Sequence, residues 1–343
     1  MKTSQLLRQL STAAQRTLGE PHVLTRPSAF IRPLSPNAVA GPSRPSSIGT
    51  DFQLYPDFFG EEESRQLLAM ALWKLDRVDS TRRRRRNKGL WEESEAGGAG
   101  LQSLFHGEYG FEEGHYDSVI HQYRETLLSS FPPPDKAWPD LSALMKRIYD
   151  LLPVSEPGGS YTQTGAVRGT HEQTPRGTST HLLHLAPHGA ILPHVDNLEA
   201  SGSVIIGTSL GAERILRLKE KGGEEGWDIR LPSGSLYIQR DTVRYQYDHS
   251  ILPYDDTGSA WQGKKLEPGH RISLMVRVSW SPGLRVCVRS DHLGRPCSVR
   301  PAMRMLLRML VMEHGTVLYQ GTAALRQSAD TSLMVQVKSA SNA

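Results

Sequence analysis

The chain has 343 residues, of which 38% are hydrophobic and 22% charged, enough apolar content for a substantial core in one large domain or two small ones. Forty Lys and Arg against 36 Asp and Glu give a formal net charge of +4, too small by itself to indicate a nucleic-acid or membrane surface. No apolar run approaches the roughly 20 residues that cross a bilayer, and two cysteines exclude a disulfide scaffold and a Cys-ligated zinc site.

The first fifty residues are basic, with Glu20 as the one acid among many Ser, Thr and Ala residues. This composition is typical of a mitochondrial presequence, and Ser4 to Leu18 is predicted to form a basic amphipathic helix. A disordered basic arm is the alternative. Residues 33–47 are rich in Pro and Ser, as linkers are. We therefore predict a presequence and linker over residues 1–48, followed by one domain over residues 49–282.

A strand, a turn and a helix open the predicted domain. The strand is DFQLY, and the helix has three glutamates in its first turn, where they complement the helix dipole, followed by a leucine-rich apolar stripe. An unbroken arginine run follows at Arg82 to Arg86, which we interpret as a solvated loop. A phosphate-binding patch is the alternative, because Trp91 and Phe105 follow it and aromatic rings can stack on bases.

Two more helices are predicted next, SVIHQYRETLLSS from Ser118 and DLSALMKRIYDLL from Asp140. A long polar stretch rich in Gly and Thr then leads towards His181. We interpret it as a loop near an active-site mouth or as a disordered insertion, and its His171 as a solvent-exposed residue.

Two metal-ligand side chains end the stretch HLLHLAPHGAILPHVD, residues 181–196. Successive side chains of a strand alternate between its faces, so His194 and Asp196 share a face. The second His-x-Asp, at residues 115–117, precedes a predicted helix and is interpreted as that helix's start. His249 is the best candidate for a third ligand. Two imidazoles and one carboxylate make the facial triad of non-heme Fe(II) oxygenases.

Beyond Asp196 the chain has the pattern of short strands separated by turns. This spacing predicts a mainly β protein with flanking helices and a double-stranded β-helix (jelly roll) core. His181 and His184 would face opposite ways on a strand, so with His188 they are predicted to be structural. The predicted strands cover residues 201–210, 214–219, 228–232, 234–240, 244–250 and 271–278.

The last of these strands, in GHRISLMVRVSW, has Arg271 and Arg277 an even number of positions apart, with Ser273 and Met275 between them on the same face. Two inward-facing guanidinium groups require anions, and a carboxylate suits a guanidinium because two parallel hydrogen bonds can form. A keto acid that chelates iron and presents a second carboxylate would satisfy one arginine, and 2-oxoglutarate is such a molecule. An edge strand with solvated arginines is the alternative.

These segments resemble the AlkB-type Fe(II)/2-oxoglutarate dioxygenases. LAPHGAILPHVD is similar to the strand-turn-strand that leads to the iron ligands of that family, and Arg271 to Arg277 is similar to its paired-arginine strand. Within the family, the chain is most similar to the mitochondrial AlkB-type members. Four segments resemble theirs in the same order: GHYDSVIHQYRET, HLLHLAPHGAILPHVDN, PSGSLYIQRDTVRYQYDHSIL and PGHRISLMVR. The resemblance covers about Phe52 to Trp280.

The resemblance implies that the cofactors are Fe(II), 2-oxoglutarate and O2. It further implies the site residues. Iron would be bound by His194, Asp196 and His249. Tyr237 would hydrogen-bond 2-oxoglutarate, Arg271 with Ile272 and Ser273 would line its pocket, and Arg277 would complete that pocket.

One departure concerns the substrate. Members that repair nucleic acids usually have an Asn and a Tyr where this chain has Leu183 and Leu185. The resemblance therefore implies a dioxygenase of the mitochondrial matrix that acts on a protein, linked to programmed necrosis and fatty-acid metabolism. A mitochondrial RNA demethylase and a non-catalytic regulator that retains the iron site are the alternatives. Residues 283–343 are predicted to be a C-terminal extension, partly helical or disordered.

Overall fold

The fold is described from a computed structural model. It describes residues 19–35, 48–77, 100–105, 108–113, 118–152, 174–175, 177–197 and 201–278. No helix in these ranges is long and apolar enough to cross a membrane. Several features named above lie outside the described residues: Ser4 to Leu18, Arg82 to Arg86, residues 115–117, His171 and residues 283–343.

The described part of the chain is built mainly from strands, with four α-helices. The helices are α1 Ile48–Asp51, α2 Glu61–Leu75, α3 Leu141–Tyr149 and α4 Asp241–Gln246. The strands are β1 His22–Val23, β2 Ile31–Pro33, β3 Phe52–Tyr55, β4 Glu112–Glu113, β5 Ile120–Leu127, β6 Thr178–His194, β7 Val204–Gly211, β8 Arg214–Glu220, β9 Gly226–Leu231, β10 Ser235–Arg240, β11 Tyr247–Ile251, β12 Ala260–Trp261, β13 Lys264–Lys265 and β14 Arg271–Val278.

The main sheet is antiparallel, in the order β1, β3, β10, β7, β14, β6, β11, β8, β9, β2. Strand β6 is 17 residues long. Its first half pairs with β14 and its second half with β11, so one strand belongs to two facing layers. The layers form a nearly closed barrel, and the predicted jelly-roll fold class with flanking helices is confirmed.

Two hydrophobic clusters pack on the two faces of β14, because its side chains alternate. Ile272, Leu274 and Val276 pack in an outer cluster with α2 and α3. Arg271 and Ser273 face the other way, towards an inner cluster that unites side chains of both layers, among them Leu54, Leu216 and Tyr237. The inner face therefore carries the arginine and the serine that the sequence predicts to line a pocket.

Several local predictions are confirmed and two are wrong. Strand β3 and helices α2 and α3 lie where expected, and the Gly60 N–H at the start of α2 donates to Glu63, as its acidic first turn suggests. The helix predicted from Ser118 is strand β5, and the strand predicted over residues 244–250 begins as helix α4. The apolar spacing around β5 fits a helical stripe, but pairing with β6, distant in sequence, decides its conformation.

The predicted start of the domain at residue 49 is too late. Strand β1 pairs with β3 and strand β2 with β9, so a segment placed in the presequence and linker forms both edges of the main sheet. Ile31 is fully buried, and the Arg32 guanidinium donates to Asp228. Strands of two or three residues carry no periodic pattern, which is why composition alone misassigned them. A presequence before residue 19 stays a prediction.

Candidate metal and 2-oxoglutarate site

Three predicted metal ligands converge where the end of β6 lies beside β11. β6 ends at His194, Asp196 follows two residues later, and His249 on β11 pairs directly opposite His194. Asp196 Oδ1 lies 3.5 Å from His194 Nε2 and 3.7 Å from His249 Nε2. All three ligand atoms lie within 4.8 Å of one another. The structure therefore brings together residues more than fifty positions apart in the chain.

The surroundings fix the form in which each ligand is held. His194 Nδ1 lies 2.9 Å from the Leu192 carbonyl, which can only accept a hydrogen bond, so the proton sits on Nδ1 and Nε2 is free to coordinate. Burial lowers the pKa of His249 to about 3, which keeps this imidazole neutral. Neutral imidazole is the form that binds metals.

Asp196 is held as a carboxylate. Burial acts to raise its pKa, but the contacts with His194, His249 and the Arg277 guanidinium outweigh burial and hold the pKa well below its usual range. Arg277 Nε donates to Oδ2 at 3.0 Å, which leaves Oδ1 facing the two imidazoles. Arg277 thus orients this ligand.

This donor set fits a ferrous ion. Adjacent ligands of a six-coordinate ion lie about 3 Å apart when each bond is near 2.1 Å, so separations of 3.5 and 3.7 Å require only small side-chain shifts. Two imidazoles and one carboxylate on one side of the ion leave positions for other ligands. Within the described ranges, no other group of three His, Cys, Asp or Glu side chains lies close enough together to hold an ion.

The surroundings of Arg271 test whether the site fits 2-oxoglutarate as a co-substrate. The residue is 0% exposed, and its Nε donates to Ser209 Oγ at 2.8 Å. Both terminal nitrogens are buried and make no hydrogen bond of good geometry among the described residues, although the Tyr237 hydroxyl lies close to the guanidinium. An unpaired buried guanidinium is costly, and a carboxylate satisfies two of its N–H groups at once. The far carboxylate of 2-oxoglutarate fits this requirement.

The Tyr237 side chain lies on the inner face of the sheet, beside Arg271. Burial raises the pKa of its phenol, and the nearby Arg271 charge acts in the opposite direction without reversing the effect. Its hydroxyl lies 4.0 Å from Met275 Sδ on β14, although Tyr237 itself is on β10. The ring crosses the intervening strand above Gly207, where an added Cβ would lie 2.3 Å from the ring. Gly207 therefore makes room for Tyr237.

The remaining predicted pocket residues divide between the two faces of β14. Ser273 is on the inner face with Arg271, opposite Leu183. Ile272 packs in the outer cluster, so only its main chain can border the co-substrate. Leu183 and Leu185 are buried on the inner face of β6, opposite Ser273 and Arg271. They form an apolar wall where polar contacts are usual in nucleic-acid repair members.

Sequence reasoning missed several residues of the site. Ser209 binds Arg271, and Arg244 donates to the Asp196 carbonyl at 3.3 Å and to Ser201 Oγ at 2.7 Å, which ties the Asp196 main chain to Ser201. His181 lies on the same inner face, and burial together with the Arg277 charge lowers its pKa to about 4. No local pattern marks these residues, because sheet register alone places them beside the ligands.

Comparison with known proteins agrees with this geometry. Residues 173–277 match the model of the 2OG-Fe(II) oxygenase superfamily. The chain is also 32% identical, over 169 residues, to bovine (Bos taurus) "Alpha-ketoglutarate-dependent dioxygenase alkB homolog 7, mitochondrial", and 32% identical over 168 residues to the mouse (Mus musculus) protein. These matches agree with the predicted resemblance to the AlkB-type 2-oxoglutarate oxygenases.

The extent of these matches is limited. Each covers 49% of this chain and 65% of the relative, a little under two thirds of the relatives' length. The solved structure of OsALKBH1 aligns with a TM-score of 0.37 at 15% identity, covering 66% of this chain and 96% of that chain.

Proposed function

We propose that this protein is an Fe(II)- and 2-oxoglutarate-dependent dioxygenase. The observation that carries the proposal is the buried Arg271 guanidinium, which has two unsatisfied nitrogens on the inner face that also holds the His-Asp-His cluster. A metal triad alone is common to many chemistries, whereas a triad together with a buried unpaired cation selects a chelating ligand that carries a second carboxylate.

Each residue then has a role. Ser209 holds Arg271 so that its terminal nitrogens receive the far carboxylate, and Tyr237 offers a hydroxyl to the same ligand. Ser273 and the main chain of Ile272 border the pocket, and Leu183 and Leu185 exclude water from it. Iron is held by His194, Asp196 and His249, with Arg277 orienting the carboxylate.

When bound, iron with 2-oxoglutarate and O2 supplies oxidation of a substrate C–H bond to C–OH, with conversion of 2-oxoglutarate to succinate and CO2. The protein's own contribution is to keep the His249 imidazole neutral, keep Asp196 ionised and shield the pocket from water. Hydroxylation of a side chain leaves a stable alcohol, whereas hydroxylation of an N-methyl group releases formaldehyde and leaves the demethylated amine.

We propose a protein substrate and a location in the mitochondrial matrix. The apolar pair Leu183 and Leu185 supports a substrate other than a nucleic-acid base. The basic N-terminal composition and the mitochondrial label of the bovine and mouse relatives support the location. An RNA substrate predicts binding that weakens steeply as salt rises, because phosphate contacts release counterions. RNA binding of that kind, together with released formaldehyde, would replace the protein-substrate proposal.

The test of the site uses succinate formation, iron content and 2-oxoglutarate affinity in three variants. His194→Ala should lose bound iron and succinate formation. Arg271→Met should keep iron and weaken 2-oxoglutarate binding about 100-fold, since a charge-paired carboxylate contact is lost. Arg230→Met is the matched control, because it removes a different arginine, one paired with Glu213. Unchanged turnover in His194→Ala would remove His194 from the mechanism.

A non-catalytic regulator that keeps the iron site is the competing function. It predicts that Arg271→Ala and wild-type protein have the same effect in cells. A difference between them supports the enzyme, provided that both proteins accumulate to the same level.

A further inference from the structure

We propose that His270 is a positioning residue for Arg271, held in place by a buried hydrogen-bonded chain from Asp76 through Arg124 and His184. The inference rests on the proposed role of Arg271 in binding 2-oxoglutarate. It concerns side chains on the outer face of the sheet, which touch neither the metal ligands nor the inner pocket.

The chain of contacts crosses four elements. Arg124 on β5 forms a buried ion pair with Asp76 at the end of α2, with NH1 donating to Oδ1 at 2.9 Å. The Nε of the same guanidinium donates to His184 Nδ1 on β6 at 3.0 Å. His184 Nε2 then lies 3.1 Å from Nδ1 of His270, the residue immediately before Arg271.

Arg124 determines which atom donates and which accepts in each hydrogen bond from His184 to His270. A guanidinium can only donate, so His184 Nδ1 must be unprotonated and its proton must sit on Nε2. His184 Nε2 therefore donates to His270 Nδ1, and His270 carries its proton on Nε2. Burial agrees with two neutral rings, because it lowers the pKa of His184 well below its usual value and that of His270 to about 4.

The main chain of His270 is fixed as firmly as its ring. Its N–H donates to Gln102 Oε1 at 3.0 Å, and its carbonyl accepts from Gln102 Nε2 at 2.8 Å. The same carbonyl accepts from the Ala212 N–H at 2.8 Å. The residue immediately before β14 is thus held at both its side chain and its backbone.

Three aromatic side chains enclose the histidine pair. Phe105, Tyr109 and Phe111 each pack against both imidazoles, with ring centroids between 4.7 and 5.9 Å apart. An imidazole that turned away from this arrangement would leave a buried nitrogen without a partner, which is unfavourable. The cluster therefore resists rotation of His270 and holds the start of β14 in one position.

The consequence concerns the geometry of Arg271. A small displacement of its guanidinium would misalign both terminal nitrogens with an incoming carboxylate. Removing the acceptor at position 270 should weaken 2-oxoglutarate binding about tenfold, the lower end of what lost supporting hydrogen bonds cost at ligand sites. Iron content should stay the same, because the triad lies on other elements.

The experiment compares two variants at position 270 with a remote control. His270→Leu removes the acceptor, whereas His270→Asn retains one near the position of Nδ1. Trp261→Phe removes the bond to the Ala29 carbonyl and serves as a destabilised control away from β14. The measurements are Tm and the Kd of 2-oxoglutarate by titration calorimetry on the iron-loaded protein without O2. We expect a raised Kd in His270→Leu, recovery in His270→Asn, and a wild-type Kd in Trp261→Phe.

Several outcomes would overturn the proposal. A wild-type Kd in His270→Leu, or an equal rise in Trp261→Phe at the same loss of Tm, would reduce His270 to a structural residue. Nitrogen-15 NMR of the wild-type protein offers a test that needs no variant, and protonated Nδ1 on either histidine would contradict the bond directions. A wild-type protein that binds no 2-oxoglutarate would instead defeat the proposed function itself.

Discussion

Gly207 shows that the site depends on a residue that has no side-chain functional group. The Tyr237 ring occupies the space that a Cβ at position 207 would fill, so a hydroxyl on β10 reaches β14 across a strand between them. Ser209, two residues further along the same strand, holds Arg271. At the scale of single residues, one strand therefore arranges both proposed contacts to 2-oxoglutarate.

Gly207→Ala should weaken 2-oxoglutarate binding about tenfold, because its methyl group displaces Tyr237 by steric overlap. Tyr237→Leu removes both the hydroxyl and the ring, so adding Gly207→Ala to it should cost little more. Calorimetric Kd values for the two single variants and the double variant test this non-additivity. Gly100→Ala is the control, since a Cβ there meets nothing within 4 Å. Additive losses would show that Gly207 does not act through Tyr237.

At the scale of elements, strands β1 and β2 also belong to the domain although no sequence pattern marks them. Both are very short, yet they form the outer edges of the main sheet, and Leu24 and Ile31 beside them enter the inner cluster that includes Tyr237. Arg32 adds hydrogen bonds to Asp228 and to the carbonyls of Gly258 and Ala260. Residues 19–35 are therefore part of the folded domain, and any presequence must be removed upstream of them.

A chain that begins at residue 36 should be severely destabilised relative to one that begins at residue 19. Ile31→Ala alone should cost about 2 to 5 kcal/mol, the usual loss for a fully buried isoleucine. Urea denaturation followed by tryptophan fluorescence measures both. Arg26→Ala is the control, since Arg26 is exposed. Full stability in the chain starting at residue 36 would contradict an integral role for β1 and β2.

At the scale of the whole molecule, the buried His184 and the half-buried His270 link stability to pH. Burial holds the pKa of His184 well below its usual value and that of His270 at about 4. In the unfolded chain both titrate near 6.5. Between these values the unfolded state binds more protons than the native state, so the free energy of unfolding decreases as pH falls below about 6.5.

Each such histidine should contribute a slope of up to about 1.4 kcal/mol per pH unit over the range from pH 6.5 towards its native pKa. His184→Leu should flatten this dependence, although it lowers stability at neutral pH. Urea denaturation at a series of pH values provides the measurement. His188→Ala, at an exposed position, should leave the slope unchanged. A slope that persists undiminished in His184→Leu would assign the linkage to other groups.

The sequence by itself determined the features that depend on local spacing. Alternation on a strand put Arg271 and Arg277 on one face, and the His-x-Asp pair with a later histidine indicated a metal triad. Strand spacing after Asp196 predicted the jelly roll. These inferences succeed because residue type and a period of two are readable without knowing which strand lies alongside.

Only the tertiary structure decided the features that depend on which strands are neighbours. Pairing with β6 made β5 a strand against its helical pattern, and edge pairing drew β1 and β2 into the domain. Register placed Gly207 beneath Tyr237 and Ser209 beside Arg271, and packing joined His184 to His270. Such contacts link residues far apart in the chain. They form only when the strands of the sheet pair, because the entropy cost of closing a long loop must first be offset. A local sequence pattern therefore cannot predict them.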